Sequence, residues 1–308
     1  ETFIFGDSIQ TIPYQALYDM SQIKSILIGS NVDTIGNYAF RGCSGLTSVD
    51  FPQSVRVIGS NAFENCDGLL SIEIPSSINS IGGYVFNGCD SLATILWNTN
   101  VLSFNNVFSG CNNVQSVTIG DSVRIVPNNF MDGRSSLRTV SFGANVDTIG
   151  NYAFRGCSGL TSIVFPESVS AIGSYAFENC DKLLSVEIPS SINSIGGYAF
   201  YNCSSLKSLV IPESVTSIGS AAFEYCSSLT NMTIPSRVSR IESLAFNGCS
   251  SLESMVIPNG VANIGSYAFY NCSSLVNIII PNGVKNISLS LFEGCSSLEN
   301  ITIPSGVT

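Results

Sequence analysis

The sequence predicts a repeat solenoid of stacked coils, each built from a short strand, a turn and a short helical or irregular return segment. Three observations predict it: a Phe, a Cys and a Leu that recur in fixed register, an alternating apolar stretch after each Leu, and a Pro that closes that stretch. Within Gly196 to Val215, GGYAFYNCSSLKSLVIPESV, the register is set by Phe200, Cys203 and Leu206. It returns as Phe223, Cys226 and Leu229, then as Phe246, Cys249 and Leu252, a step of 23 residues each time. A period of that length belongs to solenoids, where one coil cannot bury its own apolar side and stability comes from stacking.

Each element of the coil follows from its residues. The Leu register runs from Leu46 to Leu298 in steps of 23 with one step of 22, leaving no linker, so residues 1–308 read as a single solenoid of about 13 coils. Behind each Leu stands L-x-x-I-x-I-P, as in Leu206 to Pro212, whose alternation gives a short strand with one buried face. Pro has no N–H for the strand ladder and ends the strand. Then S-V-x-x-I supplies two more buried residues, Val215 and Ile218, before G-x-x-A-F-x-x-C starts the return path. The Gly of that motif suggests a positive φ. However, Pro13, Pro127, Glu242 and Ser288 take its place in other coils, which favours the first turn of a short helix.

A longer period lies on top. NVDTIGNYAFRGCSGLTS at Asn31 to Ser48 is repeated in full at Asn145 to Ser162, an offset of 114 residues, and FGDSIQTIP at Phe5 matches IGDSVRIVP at Ile119. Five coils were duplicated as a block. Both ends of the sequence fall within a coil, so the expectation is a parent chain that continues on each side.

Composition excludes several functions. Charged residues make up 11% of the 308 and the net charge is -10, so no basic field exists to attract nucleic acid. No apolar run reaches the ~18 residues of a spanning helix, so direct membrane insertion of this segment is not expected. With no His, Ser-His and Cys-His nucleophile pairs cannot be built, and no phosphate-cradling Gly motif precedes a helix. No catalytic, cofactor or metal site is assigned. All 11 cysteines lie three residues after the repeated Phe or its equivalent. Their uniform spacing reads as a buried column of thiols rather than as paired bridges or a zinc site.

The residues that carry the pattern, IPESVTSIGSAAFEYCSSL and its copies, resemble the BspA-like leucine-rich repeat proteins along essentially the whole chain. The resemblance implies a leucine-rich repeat solenoid with parallel strands on the concave side and short helical or irregular segments on the convex side, an extracellular or cell-surface location, and adhesion to a host matrix or cell-surface protein. Departures cluster in Leu92 to Leu137, where Trp97 takes a strand Ile place, Asn98 and Gly120 replace Pro, Phe130 falls one residue early and Arg134 stands near the Cys register.

Numbering L-x-x-I-x-I-P-x from one to eight, positions three, five and eight point outward from the sheet. Position three is Ser, Thr or Asn in every coil, and the three positions together hold seven acids and no Lys or Arg. The candidate partner-binding residues on this concave face are Asp50, Glu73, Asp121, Val164, Glu167, Glu187, Val210, Glu213, Thr233, Val256, Ile279 and Thr302. The expected function is adhesin-like recognition of a protein through this face. The alternative is a passive stalk or spacer, which would show no distinct patch.

Overall fold

The computed structural model describes residues 1–103 and 105–308. Contacts divide the chain into two compact units, Glu1–Val146 and Asp147–Thr308. In the second unit, the strands Ser162–Val164, Ser185–Glu187, Ser208–Val210, Asn231–Thr233, Ser254–Val256, Asn277–Ile279 and Asn300–Thr302 form one parallel ladder in sequence order. In the first unit, Thr2–Phe5, Ser25–Ile28 and Ser48–Val49 form one such ladder, and Ser71–Ile74, Thr94–Trp97, Ser116–Ile119 and Thr139–Phe142 another. These are the fourteen strands the Leu register predicts, all parallel among the described residues.

A second ladder was not predicted. The x-I pair before each Gly forms a two-residue strand, as in Ser194–Ile195, Ser217–Ile218 and Arg240–Ile241, which pair in parallel from coil to coil. Between the two ladders Pro212 has a double role. It ends the strand, and its carbonyl accepts the Val215 N–H at 3.0 Å to open a turn.

The return path is not helical. It is a run of overlapping turns in which Ala199 N–H donates to Gly196, Tyr201 to Tyr198 and Cys203 to Phe200. The third residue of the first turn has positive φ in every coil, for example Tyr198 at 57° and Ala221 at 54°. So does the third residue of the last turn, Asn202 at 54° or Gly248 at 71°. Both are signatures of type II turns. This alternating backbone aims every second N–H at the next coil: Tyr198, Phe200 and Asn202 donate to the carbonyls of Ser220, Ala222 and Glu224 at 2.7–2.9 Å. The repeated Gly is therefore neither a positive-φ residue nor a helix start. A Cβ on Gly219 would sit 2.4 Å from the Gly197 nitrogen, so what it supplies is close approach of neighbouring coils.

Inside the second unit the Phe rings stack face to face: Phe154, Phe177, Phe200, Phe223, Phe246 and Phe269 stand 5.4–5.8 Å apart between centroids. Phe40, Phe63, Phe86 and Phe108 do the same at 5.0–5.4 Å in the first. The stacks are buried and extend from coil to coil, which is why a Phe returns in each of these coils.

Candidate functional site

The outward strand face is set by pleating: in Ser208–Val210 the central Leu209 is buried while Ser208 and Val210 face solvent. In the second unit Val164 pairs with Glu187, Glu187 with Val210, Val210 with Thr233, and Thr233 with Val256, giving one column of side chains at strand spacing. Ile279 pairs with Thr302 further along the same ladder. Val164, Val210, Val256 and Ile279 are 61–81% exposed, with Glu187 and Thr233 between the first three. Beside them runs the polar position-three column, where Ser254 donates to Asn231 at 3.5 Å and Asn300 to Asn277 at 3.1 Å.

In the first unit, Glu73 pairs with Leu96, and Asp50 and Glu73 line one shallow hollow with Val49, Phe51, Gln53 and Pro75. The exposed side chains of Asp50, Glu73 and Glu187 accept no hydrogen bond from the described residues.

The position-eight acids behave differently. Glu213 accepts the Ser236 N–H at 2.9 Å and its hydroxyl at 2.7 Å. Asp121 accepts the Ala144 N–H at 2.9 Å, and Glu167 the Ser190 hydroxyl at 3.2 Å. Asp7 caps Ser30 in the same way at 2.7 Å. Hydrogen bonds from the Ser236 hydroxyl and amide hold Glu213 below the usual carboxylate range, and those from the Ser30 amide and hydroxyl do the same for Asp7. These acids bind the next coil first. Of the sequence-assigned acids, Asp50, Glu73 and Glu187 are the ones without such a bond among the described residues.

The family model of the BspA type leucine-rich repeat region (6 copies) matches three overlapping segments, residues 10–137, 125–253 and 216–308. The chain belongs to the BspA-type leucine-rich repeat family. A leucine-rich repeat protein from Bacteroides ovatus is similar at 27% identity with a TM-score of 0.67, covering 92% of this chain and 79% of its own. A leucine-rich cell-surface protein from Faecalibacterium prausnitzii is 31% identical with a TM-score of 0.52, covering 88% of this chain and 82% of its own. No match was found among curated proteins.

In this BspA-type chain the Cys column has a definite job. The thiols donate to a carbonyl one coil back, usually that of the repeated Phe: Cys66 to Phe40, Cys203 to Phe177 and Cys249 to Phe223, each at 3.2 Å, while Cys43 donates to Leu17 at 3.1 Å. Burial pushes the Cys226 thiol up to about 12, and Cys203 and Cys249 well above the ordinary range. Such thiols carry almost no thiolate at neutral pH and are poor nucleophiles.

The irregular coil preserves the same bond with a different residue. Arg134 stands in the Cys column, 23 residues after Cys111, and its Nη1 donates to the Phe108 carbonyl at 2.9 Å while Nε donates to Asp132 O at 3.1 Å. Met131 fills the Phe place, and Trp97 packs edge-on against Phe130 at 5.3 Å and Phe108 at 6.1 Å. The region is repacked with larger groups.

A second surface escaped the sequence reading. On the turn side of the second unit the rings of Tyr152, Tyr175 and Tyr198 stack at 4.8 and 4.6 Å with interplanar angles of 6° and 5°. The signal was present as the Tyr of GNYAF, GSYAF and GGYAF, which reads as an ordinary half-exposed aromatic until the turn geometry is known.

Proposed function

We propose that this protein is a non-catalytic, adhesin-like binding module of the cell surface or extracellular space, recognising a protein partner through its outward strand face. The observation that carries the reading is the column of highly exposed aliphatic residues Val164, Val210, Val256 and Ile279, in a face that holds acids and no base. A host matrix or cell-surface protein with an apolar patch beside a basic one fits both parts. The cell-surface description of the Faecalibacterium relative supports the location. Exposed aliphatics supply burial at about 25 cal/mol per Å² before ordering costs. Glu73 and Glu187 speed encounter and set orientation.

The test is capture of a partner from host matrix and surface proteins, followed by binding kinetics with the purified partner. Reversal of Glu73 and Glu187 to Lys is expected to slow association and flatten its salt dependence, and Val256→Asp to quicken dissociation. If a partner binds with affinity indifferent to both changes, the strand face is not the site and the spacer reading takes its place.

A further inference from the structure

The strand face leaves the stacked tyrosines unexplained. Tyr152, Tyr175 and Tyr198 all occupy the left-handed region, with φ of 58°, 59° and 57°. Asn and Gly adopt that conformation with less strain, yet three successive coils hold Tyr there. The coil does not demand Tyr: Asn61 holds the place of Tyr175 in the first copy of the duplicated block, at φ 57°.

The stack determines what can bind to it. Both faces of Tyr175 are covered by its neighbours, the Arg155 guanidinium lies 4.8 Å over Tyr152, and Tyr201 leans on Tyr198 at 5.7 Å. No face of the central ring is left for a sugar or a planar base to stack on. All three tyrosines are half-buried, and their hydroxyls make no hydrogen bond within the described residues. Burial and the adjoining Tyr198 and Tyr152 rings raise the Tyr175 pKa, so it remains a donor. Aromatic edges carry partial positive charge, so edges and hydroxyls together favour a ligand rich in acceptors. The net charge of -10, with Glu178 close enough to act on Tyr175, disfavours an anionic one.

A polyproline II segment has these properties. Its carbonyls are free of internal hydrogen bonds, prolines contribute no competing N–H, and three residues rising 3.1 Å each repeat every ~9.3 Å. The separations of 4.8 and 4.6 Å together carry the stack ~9.4 Å from Tyr152 to Tyr198. The rise of one polyproline II turn therefore matches the separation of the first and third rings, which places successive carbonyls and prolyl rings along the stack. We propose that Tyr152, Tyr175 and Tyr198 form a docking strip for a proline-rich segment in polyproline II conformation, lying along the stack.

The probe is a synthetic ten-residue oligoproline, titrated into the whole chain by calorimetry alongside a Gly-Ser peptide of equal length and a soluble cello-oligosaccharide. Saturable binding of oligoproline at one site per chain is expected, with neither control binding. Tyr175→Asn, which installs the residue of the first copy, is expected to weaken it about tenfold without lowering the unfolding midpoint. Asn61→Tyr, which completes the run between Tyr38 and Tyr84, is expected to create a second site. Absence of saturable oligoproline binding, an affinity unchanged by Tyr175→Asn, or binding of the oligosaccharide at these tyrosines would overturn the proposal. The strand-face variants leave this strip intact, so the two readings fail separately.

Discussion

Tyr38, Asn61 and Tyr84 in the first copy of the duplicated block stand where Tyr152, Tyr175 and Tyr198 stand in the second, and the two runs are built differently on one backbone. The φ angles agree to about two degrees, 58°, 57° and 58° against 58°, 59° and 57°. In the first copy Asn61 donates to Glu64 at 3.0 Å, Arg41 pairs with the same carboxylate at 2.8 Å, and Asn87 reaches its other oxygen at 3.2 Å. In the second, aromatic stacking replaces part of that polar network. The coil thus fixes its turns through coil-to-coil N–H bonds and leaves the side chains of the turn column free to diverge. In these same coils the columns inside did not diverge, although one coil earlier Leu17 and Met20 correspond to Met131 and Arg134. Phe63 and Phe177, the same place in the two copies, are both fully buried in face-to-face stacks.

That contrast is sharpest in the core. Phe63→Ala and Phe177→Ala each remove a ring from an uninterrupted stack, and each is expected to destabilise its unit by about 3–5 kcal/mol, measured by urea denaturation. Equal losses would show that the two copies share one core logic. A loss below about 1 kcal/mol in either copy would mean that the coil can collapse around the missing ring, and the comparison of fixed core with free turn column would break.

The Cys column and its single Arg give a smaller effect. Arg134 serves two carbonyls, so Arg134→Ala is expected to cost about 1–3 kcal/mol. Cys203→Ala removes one weak sulfur donor from Phe177, whose carbonyl keeps the Cys180 N–H at 3.2 Å, and about 1 kcal/mol is expected. If the Cys change proved the costlier, the column would be held by packing volume rather than by the shared hydrogen bond to the preceding Phe.

Much of this was legible because each coil restates the same solution. Leu206, Phe200 and Cys203 give the register, and the alternation through Val210 gives the strand and its exposed face. The turns were not legible. Their left-handed positions are filled by Asn202, Gly248, Tyr198, Ala221 and Leu244, which share no side-chain chemistry, because inter-coil N–H bonds impose the conformation. The second ladder was missed for a related reason, since Ser217 and Ile218 pair only once the turns have aligned the coils. Glu213 read as surface acid, and its bond to Ser236 depends on bringing residues 23 apart into contact at a turn that the pattern alone does not describe.

Two glutamates of the second unit carry the comparison into pH dependence, with opposite signs. Exposed Glu213 is held below its ordinary value of 4.5 by Ser236, so its carboxylate contributes stability that is present above that value and is lost as pH falls through the lower, folded value. Glu224 is pushed above 4.5 by burial, against a bond from Asn247 that pulls the other way. Its charge opposes folding above the raised value, and that opposition fades as pH drops and is gone below 4.5. Glu213→Gln is therefore expected to lower the urea midpoint at pH 7, with the difference closing in acid. Glu224→Gln is expected to raise it at pH 7: the buried charge goes, and the new amide brings a donor beside the Asn247 Oδ1, which is buried without a partner. This gain too should disappear in acid, where Glu224 is already neutral in both states. Midpoints measured from pH 3 to 7 check the pair. A fall in the midpoint for Glu224→Gln at pH 7 would mean that its carboxylate supports the turn column as the Glu213 carboxylate supports the strand side, and the burial argument for Glu224 would be wrong.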